Sequence, residues 1–169
     1  MSDPSTSVVA VTGPAGRVKL REVTEADLPT FYQHQRDEVA YRMVGFEPKD
    51  WDAFIAHWTK NMANPDTMER AVLVDGELAG NLVCFDQDGE REVGYWIGRE
   101  FWGRGIATEA LAQFLDEITE RPLYAIVAVH NAGSIRVLEK CGFVLIEQDP
   151  TYSTAGGPVV EEVKLRLDR

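Results

Sequence analysis

The chain has 169 residues, 44% hydrophobic and 27% charged, with a formal net charge of −11. That size and balance fit one soluble globular domain with its own core. The acidity leaves no basic stripe for nucleic acid, and no apolar run approaches the ~20 residues of a membrane span. The start, Met1-Ser-Asp-Pro-Ser-Thr-Ser7, lacks the basic and apolar regions of a secretory signal, so a cytoplasmic location is expected. Cys84 and Cys141 form no C-x-x-C pair and sit in apolar contexts, as buried free thiols do. The acidity either favours a cationic partner, such as a polyamine, an aminoglycoside or a basic peptide end, or serves solubility alone.

Residues 1–16 are rich in Ser, Pro, Gly and Thr and read as a flexible tail; 17–169 read as one domain. Arg17 to Glu22 alternates as a first strand does. Thr24, followed by Glu25 and Asp27, marks the start of a helix running to about Gln35. Arg36 to Phe46 reads as irregular. Pro48 opens a second helix, through Trp51, Phe54, Ile55 and Trp58 to about Met62, with its aromatics on one face. Strands follow at 69–74, 78–85 and 92–97, joined by short turns at Asp75-Gly76 and 86–90, so three successive antiparallel strands are expected.

The next stretch, Gly94-Tyr-Trp-Ile-Gly-Arg-Glu-Phe-Trp-Gly-Arg-Gly-Ile-Ala-Thr108, is a strand, a glycine-rich turn and a helix start. Apolar residues at 106, 107, 110, 111, 114, 115 and 118 continue at helical spacing. A glycine turn delivering a helix N-terminus to a strand end presents unpaired N–H groups that bind anions, typically phosphate. The P-loop pattern is absent. The dinucleotide pattern finds Gly103 and Gly105 but Thr108 at its third glycine, and it lies too late in the chain for a first βα turn. Arg121-Pro122 ends the helix region, and Leu123 to Val129 is an apolar strand expected to be central. A short helix over 132–141 stops at Gly142. Closing strands at 143–146 and 159–167 flank a polar loop at 150–158.

Glu92-Val-Gly-Tyr-Trp-Ile97, Phe101-Trp-Gly-Arg-Gly-Ile-Ala-Thr-Glu-Ala-Leu111, Asn131-Ala-Gly-Ser134 and Val137-Leu-Glu-Lys-Cys-Gly-Phe143 occur in that order. Together they resemble the GNAT superfamily of N-acetyltransferases, in the branch named for the RimJ and RimL ribosomal-protein enzymes. The superfamily loop pattern, Gln/Arg-x-x-Gly-x-Gly/Ala, matches at Gly105 and Ala107 and has Trp102 at its first position, as is common in that branch. The resemblance is densest over 92–143. It implies an α/β (α+β) fold: a mixed, mostly antiparallel sheet of six to seven strands flanked by about four helices, with a cleft between two central strands. It also implies acetyl transfer from acetyl-CoA to a primary amine, with no metal, and allows a homodimer.

Carried over by position, Trp102, Gly103, Arg104, Gly105, Ile106, Ala107 and Thr108 would hold the CoA pyrophosphate. Trp96 and Ile97 would admit the pantetheine arm at a strand splay, and Asn131 would bind it. Glu92 is the candidate base for the amine; a structural salt bridge is its other reading. His130 is a second candidate, since imidazole titrates near neutrality. Many members carry a Tyr seven residues after the Asn to protonate the leaving thiolate, and this chain has Leu138 there. Either Ser134 acts as the acid or the thiolate leaves unassisted. Arg42, Phe46, Trp51 and Trp58 are candidate acceptor contacts, against a core role for the aromatics. The alternative function is a non-catalytic acyl-CoA-binding or sensing module of the same fold.

Overall fold

The structure, a computed structural model, describes residues 18–45, 47–149 and 161–169. The tail 1–16, Phe46 and the 150–158 loop lie outside the described residues. Seven strands form one sheet: β1 (Val18–Arg21), β2 (Met68–Val74), β3 (Glu77–Gln87), β4 (Glu90–Ile97), β5 (Leu123–Ala128), β6 (Val144–Asp149) and β7 (Glu162–Leu167). Their spatial order is β1-β2-β3-β4-β5-β7-β6. Every pairing is antiparallel except β4 with β5, which is parallel.

The β2–β3 and β3–β4 hairpins turn on Asp75-Gly76 and Asp88-Gly89. All four residues have positive φ, the backbone that matches the twist of the flanking strands. The expected antiparallel run of three strands is therefore built as read. β5 lies inside the sheet, between β4 and β7, with Leu123, Ala125 and Ala128 buried.

Among the described residues five α-helices pack on the sheet: α1 (Leu28–Gln35), α2 (Glu38–Val44), α3 (Trp51–Ala63), α4 (Ile106–Glu117) and α5 (Ala132–Lys140). The sequence reading expected about four and left 36–46 irregular; α2 is the difference. Its roughly two turns are capped at both ends. Asp37 accepts from the Ala40 N–H at 3.2 Å, and Gly45 closes the helix at φ 97°. α3 starts at Trp51, three residues after Pro48, because Asp50 takes the Ala53 N–H at 2.9 Å. Residues 25–27 form a short 3₁₀ turn before α1, and Asp27 takes the Thr24 N–H at 2.8 Å while bound to Arg21 at 2.8 Å.

Strand alternation divides the core into two layers. Val93, Tyr95 and Ile97 of β4 join Leu111 and Phe114 of α4 and Leu138 of α5 on one face. On the other face Ala71 of β2 packs with Leu28, Phe31, Phe54 and Trp58 of α1 and α3. Helices thus cover both faces. Trp58 belongs to this core, tilted against Phe31 with ring centroids 5.2 Å apart. Among the described residues no helix is long and apolar enough to cross a membrane.

Candidate active site

The sheet opens at one place. β4 and β5 share a single register pair, Glu92 with Tyr124, and then diverge. Beyond that pair Gly94, Tyr95 and Trp96 keep part of their surface exposed in the middle of a seven-stranded sheet. The β3 side of the same strand is closed. Gly80 lies so near it that a Cβ there would stand 2.1 Å from the Trp96 carbonyl oxygen, so no side chain fits. The Gly98 N–H also points to β3, donating to the Ala79 oxygen at 2.8 Å. Since backbone groups alternate along a strand, Tyr95 and Ile97 turn their N–H and C=O toward the gap. Trp96 contributes its ring instead, on the α1/α3 face, opposite the buried Asn81.

The gap leads to the glycine turn. Gly103 and Gly105 have φ 75° and 76°, and no atom of the described residues lies within 4 Å of where their Cβ atoms would be. Gly105 is the N-cap of α4 and brings no side chain to cap it. The first N–H groups of α4, on Ile106, Ala107 and Thr108, are therefore left without a capping side chain from Gly105. Ile106 itself is buried, so only its backbone serves there. Arg104 lies 5.6 Å from the centre of the Phe101 ring, at the edge of the turn. Trp102 is 39% exposed and donates its indole N–H to the Ile97 oxygen at 2.8 Å, folding the turn back onto the strand end.

Across the gap, Asn131 caps α5 by accepting from the Ser134 N–H at 3.2 Å. The Ser134 Oγ lies 2.6 Å from the Tyr95 hydroxyl, which is also 3.2 Å from the Ser134 carbonyl oxygen. Burial pushes the Tyr95 hydroxyl up to about 12. Leu138, where many members carry Tyr, is fully buried in the core.

Glu92 sits at the closed end of the gap, 8% exposed, on the sheet face opposite Tyr95. Burial pushes its carboxyl up to about 7; Lys164 pulls it down, and Glu90, Asp88 and Glu162 push it up again. Lys164 is bound to Glu90 and lies 4.8 Å from the centre of the Tyr124 ring. No salt bridge or hydrogen bond joins the Glu92 carboxylate to a cation among the described residues, so the simple ion-pair reading is not what these residues show. His130 is exposed, its Nε2 3.3 Å from the Arg42 oxygen. Arg42 pairs with Glu38 at 2.6 Å, and the exposed Trp51 stands edge-on to Tyr32.

The sequence reading thus named residues on both sides of the gap. It missed Tyr95, read only as a strand residue, and the charged group around Glu92. Strand parity was the available signal, placing Tyr95 on the face opposite Glu92, but its partner lies 39 residues further on.

Residues 17–144 match the family described as Acetyltransferase (GNAT) domain, about three quarters of the chain. The chain belongs to the GNAT acetyltransferase family. It is 31% identical over 100 residues to a putative ribosomal N-acetyltransferase, YdaF, of Bacillus subtilis, covering 55% of each. The matched stretches span about half the length of the curated relatives. Mycobacterium smegmatis RimJ, solved in complex with CoA-disulfide, superposes with TM-score 0.75 at 23% identity, over 92% of this chain and 83% of that one. Vibrio cholerae spermidine N-acetyltransferase, in complex with CoA and spermine, gives TM-score 0.77 at 18% identity, over 89% and 95%. These likenesses establish the fold expected from the sequence, with seven strands.

Proposed function

We propose that this protein transfers the acetyl group of acetyl-CoA to a primary amine, in a ternary complex held at the β4–β5 gap. The observation that carries the reading is the single Glu92–Tyr124 register pair. It opens the sheet beside a buried carboxylate, and the opening runs to an uncapped helix N-terminus. The parts fit the ligand. The Gly103–Thr108 N–H groups and Arg104 suit a pyrophosphate, with the Thr108 hydroxyl as a further donor. The gap-facing N–H and C=O of Tyr95 and the N–H of Ile97 suit an amide-bearing arm that pairs like a strand; the Ile97 oxygen already accepts from Trp102. Asn131, which caps α5, would meet such an arm in this reading. The thioester supplies the activated acyl carbon; the chain supplies position, a base and donors.

Glu92 is the base in this reading. An amine reaches the gap as an ammonium and must lose a proton before it attacks. A carboxylate raised to about 7 accepts that proton near neutral pH and returns it to water. Glu90, Glu92 and Glu162 outnumber Lys164 among the charges gathered there, which favours a cationic acceptor. Spermine in one structural neighbour and the description of another, RimL, as an α-N-protein acetyltransferase mark the two acceptor classes to test.

The test is thiol release from acetyl-CoA with polyamines, aminoglycosides, amino acids and basic peptides, for wild type and Glu92→Gln. Turnover with one class, about 100-fold slower in the variant with CoA affinity kept, is the expected result. CoA binding without turnover anywhere in the panel points to a sensing module. Absence of CoA binding removes the reading altogether.

A further inference from the structure

The Tyr95–Ser134 contact joins strand β4 to helix α5 across the gap, on the face away from Glu92. Two hydroxyl groups meet there, with two protons and three acceptors: the phenol oxygen, the serine Oγ and the Ser134 carbonyl oxygen. Two arrangements satisfy the distances. In one, the phenol donates to the carbonyl at 3.2 Å and the serine donates to the phenol. In the other, the phenol donates to Oγ at 2.6 Å, and the serine proton turns away from Tyr95. The second arrangement frees a donor on the first turn of α5, beside Asn131.

We propose that Tyr95 is a positioning residue for the Ser134 hydroxyl, aiming its proton into the gap to stabilise the sulfur of the departing CoA. The proposal rests on the acetyl-transfer reading above. In the displacement the C–N bond forms and the C–S bond breaks. The electron pair of that bond goes to sulfur, and the amine proton goes to the Glu92 carboxylate. No proton leaves either hydroxyl. Ser134 donates a hydrogen bond to the thiolate, and Tyr95 donates one to Ser134. CoA is then protonated from water after it leaves.

Three observations favour this division. Leu138 is fully buried, so no hydroxyl reaches the gap from the position where many members carry Tyr. Burial raises the Tyr95 hydroxyl to about 12, far above the ~8.5 of an ordinary thiol, so it holds its proton and serves as a donor. Strand parity sets Glu92 and Tyr95 on opposite faces of β4, so proton removal and leaving-group stabilisation act from opposite sides of the gap.

The test reads the thiol of bound CoA, independently of any acceptor. The ultraviolet absorbance of the thiolate is followed against pH in CoA complexes of wild type, Tyr95→Phe, Ser134→Ala, Ser134→Thr and the Tyr95→Phe/Ser134→Ala double variant. S-methyl-CoA complexes serve as blanks, cancelling the protein's cysteines and tyrosines. In wild type the bound thiol ionises at least about one pKa unit below free CoA, a tenfold change. Ser134→Ala and Tyr95→Phe each abolish most of that shift, Ser134→Thr keeps it, and the double variant matches Ser134→Ala. An unshifted thiol in the wild-type complex overturns the proposal. So does a Tyr95→Phe effect that is absent, or as large without Ser134 as with it. Loss of CoA binding in Tyr95→Phe alone assigns the residue to structure and also ends the proposal. Absence of CoA binding in wild type ends the acetyl-transfer reading, and this one with it.

Discussion

As the proposed base, Glu92 would couple activity and stability through one carboxyl group. Its native value stands at about 7, against 4.5 for an unperturbed carboxyl, chiefly because burial disfavours the charge. As a base it must be ionised, so kcat/KM rises with pH through about 7 and then levels. Stability moves the other way. Between pH 4.5 and 7 the folded state holds a proton that the unfolded state has released, so raising the pH costs stability. Glu92→Gln removes that cost. Its melting temperature should match wild type near pH 4.5 and exceed it above pH 7, by the equivalent of roughly 1–3 kcal/mol. Thermal melts across that range check this, and equal melting temperatures throughout would contradict it. The candidacy of Glu92 was legible because it heads the Val-Gly-Tyr-Trp run. Its environment was not, since Lys164 and Glu162 arrive from β7, which lies beyond β5 in the sheet. Ser134 was legible as a candidate, whereas its partner Tyr95 needed the fold to bring β4 and α5 together.

At the scale of elements, the turn before α4 and the short helix α2 make contrasting cases. Gly105 takes φ 76° at the helix start, with open space where a Cβ would project. Gly105→Ala places a methyl group in the proposed pyrophosphate cradle and a side chain in a left-handed backbone. Stability should fall by about 1–2 kcal/mol. CoA affinity should fall at least about tenfold, a loss of ~1.4 kcal/mol, measured by calorimetry. A variant that loses stability and keeps its affinity would place the cofactor elsewhere. That turn was legible because three glycines between an aromatic strand and an apolar helical stripe admit few backbones. α2 was not, because its seven residues, five of them apolar, are too short and too uniform a run to show a period. Its signal was chemical: Asp37 before the helix and Gly45 after it. Asp37 also binds Arg99, in the segment entering the glycine turn, at 2.9 Å. Asp37→Ala should therefore cost about 1 kcal/mol in denaturant unfolding through the lost cap. The exposed Arg99 pair adds little to that. The position of β7 between β5 and β6 was also hidden, because adjacent closing strands in sequence fix their pairing but not which of them joins the sheet.

The whole molecule carries 28 acidic and 17 basic side chains, and its field reaches beyond any one contact. If the acceptor is a cation drawn to the Glu90, Glu92 and Glu162 group, attraction must weaken as salt screens it. The screening length falls from about 30 Å at ~0.01 M to about 3 Å at ~1 M. A monoamine and a spermidine-like triamine sample the same field with different charge. The acceptor KM should therefore rise with salt for both, and several-fold more steeply for the triamine, while kcat changes little. Initial rates with each amine across that range, at saturating acetyl-CoA, measure the two slopes. Equal slopes would mean that only the reacting ammonium feels the field. The acidity would then be a solubility trait, and acceptor choice would rest on shape. Unequal slopes would assign the excess negative charge a share in selecting the acceptor, and replacing Glu162 by Gln should then flatten the triamine slope toward that of the monoamine.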